Sequence, residues 1–127
     1  MEHEALAQPS AASLISREIV SLLKQRIGKG PVATRAYVHT DVVFILMKGG
    51  HTVAEQTRFD AGEARGVHQA RSDLTQLLKP ELIACVERNT GRKVIAFMAG
   101  SQQDPDFLAH TYVLAPESGS AEDQPPE

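Results

Sequence analysis

The chain of 127 residues contains no tryptophan, one cysteine, two tyrosines and four phenylalanines. A single cysteine excludes an intrachain disulfide framework. Six tyrosines and phenylalanines, most of them needed for a core, leave no evident set of stacking platforms for single-stranded nucleic acid. Long apolar runs are also missing: the longest, Val42 to Met47, is strand-sized, well short of the roughly 18 to 20 residues of a membrane helix. The first twenty residues carry Glu2 and Glu4 and no apolar h-region, unlike a secretory signal. The length suits one domain, and these absences together read as a cytoplasmic protein without a membrane span of its own.

Charge is uneven. The net charge is -3, yet six of the sixteen acids lie in the ends (Glu2, Glu4, Glu117, Glu122, Asp123, Glu127), which leaves ten against thirteen basic residues between 14 and 116. The ends are small and polar and bury too little apolar surface to offset ordering entropy. The expectation is a disordered arm over 1–11, a single domain over 12–116 and a disordered acidic tail over 117–127.

Leu14, Ile15, Ile19, Leu22, Leu23 and Ile27 recur at helical spacing, with Ser10 or Ser13 as cap and Gly28 as stop. Residues 33–39 and 42–48, β-branched and aromatic around Thr40-Asp41, read as a hairpin. Thr52-Val53-Ala54-Glu55 fits a capping box and starts a short helix. A long helix follows from Ala64, with Val67, Ala70, Leu74, Leu77 and Leu78 inward and Leu82, Ile83 and Val86 continuing the stripe; Pro80 should bend or divide it. Strands over 93–99 and 107–114 flank a polar turn containing Asp104-Pro105-Asp106. The order αββ(α)αββ gives an α+β two-layer sandwich, a four-stranded, mostly antiparallel sheet with helices on one face. Residues 42–47 and 94–99 are apolar at odd and even positions alike, so both sheet faces want cover while the helices supply one. The outward face should hold one alternate set from Phe44, Leu46, Ile95 and Phe97, or from Val43, Ile45, Val94 and Met98, and should join two copies as a homodimer.

The chemistry-bearing residues are few. Cys85 sits on an apolar helix stretch and reads as a structural thiol. The five histidines have no metal-ligand spacing, so no metal or other cofactor is expected. Gly28-Lys29-Gly30-Pro31 follows a helix, whereas a phosphate loop precedes one. The basic residues carry more. Between Glu18 and Asp41 there is no acid, and Lys24, Arg26, Lys29 and Arg35 fall there; Arg88, Arg92 and Lys93 cluster at the matching place in the second half. Side by side they would form one positive rim for a small anion, an acidic partner or nucleic acid. Arg26, Lys29, Arg35, Arg92 and Lys93 are therefore the candidate anion or partner site. His39, Thr52, Glu55 and Asp104 form a candidate polar site. An enzyme using Arg35, His39 and Glu55 ranks third, because nothing pairs a nucleophile with a base; the catalytic set is empty.

As an ensemble, Gly28-Lys29-Gly30-Pro31, Arg35-Ala36-Tyr37-Val38, Thr52-Val53-Ala54-Glu55, Arg71, Thr90-Gly91-Arg92-Lys93-Val94, Asp104-Pro105-Asp106 and Tyr112-Val113-Leu114-Ala115-Pro116 resemble the bacterial MpsC-like family. His51 stands where that family usually has leucine, and Ala99-Gly100 replaces a frequent Ser-Asp pair. The family label, a component of a sodium-translocating, membrane-potential-generating system, implies a subunit or accessory of a membrane-transport complex, linked to ion or bicarbonate uptake and held at the membrane by a partner. The leading expectation is a non-catalytic, homo-oligomeric accessory or regulatory module that binds a protein partner or small anion; the alternatives are a nucleic-acid-binding module and a small enzyme.

Overall fold

A computed structural model describes residues 10–117. Seven elements run α1 (Ala11–Ile27), β1 (Ala33–His39), β2 (Val42–Lys48), α2 (Val53–Asp60), α3 (Ala64–Thr90), β3 (Val94–Gln103) and β4 (Asp106–Leu114). The fold is α+β in the expected element order, and the one sheet is antiparallel throughout, ordered β1-β2-β4-β3. Residues 1–9 of the expected arm and 118–127 of the expected tail lie outside the described residues, while Ser10 and Ala11 belong to the cap and first turn of α1.

Helix α1 starts where the Ser10 side chain accepts from Ser13 N and stops at Gly28, whose φ of 91° is left-handed. Its inward stripe, Ile15, Ile19 and Leu23, meets Leu78, Leu82, Cys85 and Val86 of α3 and the inner sheet face of Val43, Ile45, Met47, Tyr112 and Leu114. Tyr112 and Ile45 are fully buried there; each buried aliphatic or aromatic side chain is worth about 1.5 to 3 kcal/mol.

Three expectations are corrected. Pro80 does not divide the long helix: α3 runs as one helix from Ala64 to Thr90 with Pro80 inside it. Proline deprives the carbonyl four residues earlier of its partner, but Gln76 and Pro80 are both exposed, so water can serve that carbonyl. Ala70 and Leu77 do not face inward: both are exposed, Leu77 by 75%. Arg71 and Thr75 take places in the buried stripe instead, between Val67 and Leu78. Finally, neither predicted outward set is kept whole. A bulge between Val94 and Ala96 inserts Ile95 and resets the alternation of β3, so Val94 and Phe97 pair with the buried Leu114 and Tyr112 while Met98 falls opposite Thr111. The face away from the helices thus joins Phe44 and Leu46 of β2 to Met98 of β3. Among the described residues no helix packs on that face, which also carries Tyr37, Val42, Phe107 and Val113.

Candidate functional site

Polar residues from four separate segments converge at the end of the sheet where β2 stops. Gly49 and Gly50 turn the chain there at φ values of 76° and 108°; a Cβ on Gly49 would stand 2.6 Å from Val32 Cγ2. The turn delivers His51 into the interior, 7% exposed, with its ring stacked at 6.4 Å on Phe59. Thr52 then opens α2 with a complete capping box: its hydroxyl accepts from Glu55 N at 3.1 Å, and Glu55 Oε1 accepts from Thr52 N at 2.9 Å.

Asp106, the first residue of β4, is the hub. Its Oδ1 accepts from Arg71 Nη1 at 2.8 Å, and its Oδ2 accepts from His51 N at 3.1 Å and lies 3.2 Å from His51 Nδ1. Arg71 reaches it from α3 through an apolar helix stripe, its side chain 10% exposed, with Nε 4.0 Å from Glu55 Oε2. Lys29 closes the group by donating from Nζ to the His51 carbonyl at 2.9 Å. Two cations, Lys29 and Arg71, therefore stand against two carboxylates, Glu55 and Asp106. Unpaired buried charge is costly, and this matching is what admits Arg71 to the interior. With Asp106 Oδ2 at 3.2 Å, Nδ1 is the His51 ring nitrogen placed to donate. Nε2 is buried without a partner among the described residues, so no hydroxyl or thiol is held against it for activation.

Beside this cluster, between α1, α3 and the sheet, lies a cavity of about 40 Å³. Its walls are apolar, with Leu23, Met47, Leu78, Leu82 and Leu108 among them; Lys29, Glu55 and Arg71 form its polar end, and His110 also lines it. Burial pushes the His110 pKa down to about 4 and raises that of the Tyr112 hydroxyl, whose oxygen lies 3.1 Å from His110 Nδ1.

Of the residues singled out from sequence, Lys29, Thr52 and Glu55 belong to the cluster. Asp104 stays exposed on the β3–β4 turn, and its neighbour Asp106 does the work. His39 is exposed at the far end of β1, and Arg35 lies on the open sheet face opposite Leu46, so Arg35, His39 and Glu55 are not assembled. Arg26 pairs with Glu81. Arg92 ties the β1–β2 turn to the end of β4, donating to Thr40 O at 2.7 Å, Asp41 Oδ1 at 2.6 Å and Ala115 O at 2.6 Å; Lys93 is exposed beside it. Lys29 and Arg92 thus sit at opposite ends of β1, about 20 Å apart for a strand of that length, and the two basic groups do not merge into one rim. Sequence reasoning missed His51, Arg71 and Asp106 as a set. The available signal was Arg71, a charge in a buried helical stripe.

Among the described residues no helix is long and apolar enough to cross a membrane, and no group of three or more His, Cys, Asp or Glu residues is placed to hold a metal ion. No curated protein and no solved structure matches the chain. A family model described as "Na+-translocating membrane potential-generating system (MpsC)" matches residues 8–116. With the match running over most of its length and over every element of the fold, the chain belongs to the MpsC family.

Proposed function

We propose that the chain is a non-catalytic accessory module of a sodium-translocating, membrane-potential-generating system, working in the cytoplasm as a homodimer joined through the open face of its sheet. The observation that carries this reading is that face. Tyr37 is 49% exposed, Met98 54% and Val42 38%, with Phe44, Leu46, Phe107 and Val113 half-buried between them. Four strands about 4.8 Å apart and about seven residues long span roughly 450 Å² in projection. Side chains standing on that area present more accessible surface, near the roughly 600 Å² per partner at which specific interfaces begin.

A second copy is the occupant that suits it. Arg35 and Lys48 lie toward one corner of the face, so a two-fold axis through its centre keeps the cations of the two copies apart while apolar side chains meet. The helical side and the exposed basic residues off that face, Lys93 among them, remain for a protein partner or small anion that holds the dimer at the membrane complex. Within the Arg71 cluster the charges are balanced and no hydroxyl or thiol is held to a base, which supports a structural rather than a catalytic role for that cluster.

One observation favours a second reading. The rings of Tyr37 and Phe44 lie 6.3 Å apart on the same face as Arg35 and Lys48, an arrangement on which bases could stack. Co-expression of tagged and untagged chains separates the two. Under the dimer reading the tagged copy retains the untagged one in high salt and loses it on Phe44→Asp. Under the nucleic-acid reading, binding to single-stranded RNA falls steeply with salt and no exchange partner is retained.

A further inference from the structure

A sheet ends in strands whose outer backbone groups have no neighbour, and such edges are usually blunted by charge, proline or short length. Here the edge strands are β1 and β3. Strand β1 has seven residues and carries Arg35. Strand β3 has ten, and Val94–Gln103 contains neither a charged residue nor a proline. Its bulge lies between Val94 and Ala96 and leaves the rest of the strand in regular register.

The ladder fixes which backbone groups are open. Gly49 N donates to Asp106 O and Leu114 N to Asp41 O, so the even-numbered residues of β4 bond to β2 and the odd-numbered ones to β3. Phe107, Ala109, Thr111 and Val113 stand opposite Gln102, Gly100, Met98 and Ala96. The N–H and C=O groups of Phe97, Ala99, Ser101 and Gln103 therefore point out of the sheet edge, beyond which no strand lies among the described residues. Met98, Ala99 and Gly100 are exposed there.

Helix α3 runs beside this edge as a shelf. His68 Nδ1 lies 3.1 Å from Ser101 Oγ, and Lys79 Nζ lies 5.9 Å from the centre of the Phe97 ring. His68, Ser72, Gln76 and Lys79 follow one another three or four residues apart, which places them on one side of the helix. That stripe offers a cation and hydrogen-bond donors and contains no acid. Between it and β3 opens a cavity of about 70 Å³, with His68, Ser72, Gln76, Ala99 and Ser101 in its lining.

An added strand pairs through its backbone and is selected through alternate side chains. Side chains opposite Phe97, Ala99 and Ser101 would share their face and meet the α3 shelf, where an acid suits Lys79. Those between them would lie beside Met98, where an apolar residue suits. A second copy of β3 does not meet this pattern, because it has no acid and brings its own Lys79 with it. Residues 118–127 hold acids, but also Pro125 and Pro126 and no β-branched residue, a composition that makes a poor strand.

We infer that the open edge of β3 binds an extended segment of a partner protein that alternates acidic and apolar residues, its backbone pairing with Phe97, Ala99 and Ser101 and its acids facing Lys79. The inference rests on the accessory reading for there being a partner, and is independent of the dimer.

The probe is a peptide of four Val-Glu repeats with blocked ends, titrated into the full chain labelled with ¹⁵N, with the matching Val-Lys peptide as control. Salt of about 0.15 M confines charge effects to roughly 8 Å. The Val-Glu peptide should shift the amides of Phe97, Ala99, Ser101 and Gln103 saturably and bind about tenfold more tightly there than the control, the scale of exchanging an attractive surface pair for a repulsive one. Ser101→Pro removes an outward N–H, leaves the bonds to β4 in place and should abolish the saturable shift. Should that variant not fold, Lys79→Glu decides instead, and should weaken the Val-Glu peptide and strengthen the Val-Lys peptide. Phe44→Asp should leave peptide binding unchanged, so a failed dimer and a failed edge are read separately. The inference is overturned if the Val-Glu peptide at millimolar concentration does not shift these four amides, if both peptides bind equally, or if the shift survives Ser101→Pro. Slow hydrogen exchange of the four amides in the free protein would also overturn it, because the edge would then be taken by a second copy or by residues 118–127.

Discussion

Replacing Arg71 by alanine should be among the most damaging single changes outside the apolar core. Its guanidinium donates to Asp106 at 2.8 Å with both side chains largely buried, 10% and 16% exposed. Removing one partner of a buried pair costs about 3 to 5 kcal/mol, because the remaining charge is stranded. Asp106 would keep the His51 N–H at 3.1 Å, which places the expected loss at the lower end, about 3 kcal/mol. At about 5 °C per kcal/mol for a domain of this size, the melting temperature should fall by about 15 °C in differential scanning calorimetry. Asp106→Ala should cost a similar amount, and the two losses should not add, since each change removes the same pair. Arg71→Met combined with Asp106→Leu removes both charges but leaves the buried His51 N–H without its acceptor, so it should recover only part of the stability. A fall of less than about 5 °C for Arg71→Ala, on the scale of a surface ion pair, would refute the reasoning, as would full additivity of the two alanine variants.

Three further outcomes follow from single groups. Thr52→Ala removes the hydroxyl that accepts from Glu55 N and should cost about 1 kcal/mol, measured by urea denaturation. The folded-state pKa of His110, about 4, lies below the roughly 6.5 of an unfolded histidine, so as pH falls the unfolded chain takes up this proton first. The contribution of neutral His110 is intact above about pH 6.5 and is lost toward pH 4, with a slope of up to about 1.4 kcal/mol per unit; denaturation of a folded His110→Phe variant across that window should lack this component. Cys85, buried and with its thiol pKa pushed up to about 11 chiefly by burial, should resist a thiol reagent at pH 8 until denaturant is added, and prompt labelling of the native protein would contradict its placement.

Local signals account for much of this architecture. Residues 33–39 and 42–48 form strands over the expected spans because β-branched residues surround a turn that Thr40 accepts at φ 50°. The capping box at Thr52 was legible for the same reason, since both partners lie within four residues. Where the outcome depends on distant partners, sequence says less. Strand β3 continues through Gly100, Ser101 and Gln102, which have little strand preference, because Ala109, Leu108 and Phe107 of β4 pair with them. The bulge at Ile95 has no local marker, yet it turns Phe97 inward and Met98 outward. The Arg71 cluster is harder still: 35 residues separate Arg71 from Asp106 and 55 separate His51 from it, and no periodicity links positions so far apart. Asp106 read alone is a turn former, and its function exists only once α3 and the β2–α2 turn are packed beside it.

The account rests most heavily on the open sheet face joining two copies of the chain. Sedimentation velocity of the full chain, followed from low to high micromolar concentration, tests this directly. The unmodified protein should sediment as a dimer over the upper part of that range, and Phe44→Asp, at the centre of the face opposite Tyr37 and Thr111, should sediment as a folded monomer. A monomer at every concentration for the unmodified protein, or a dimer that Phe44→Asp leaves intact, would contradict it.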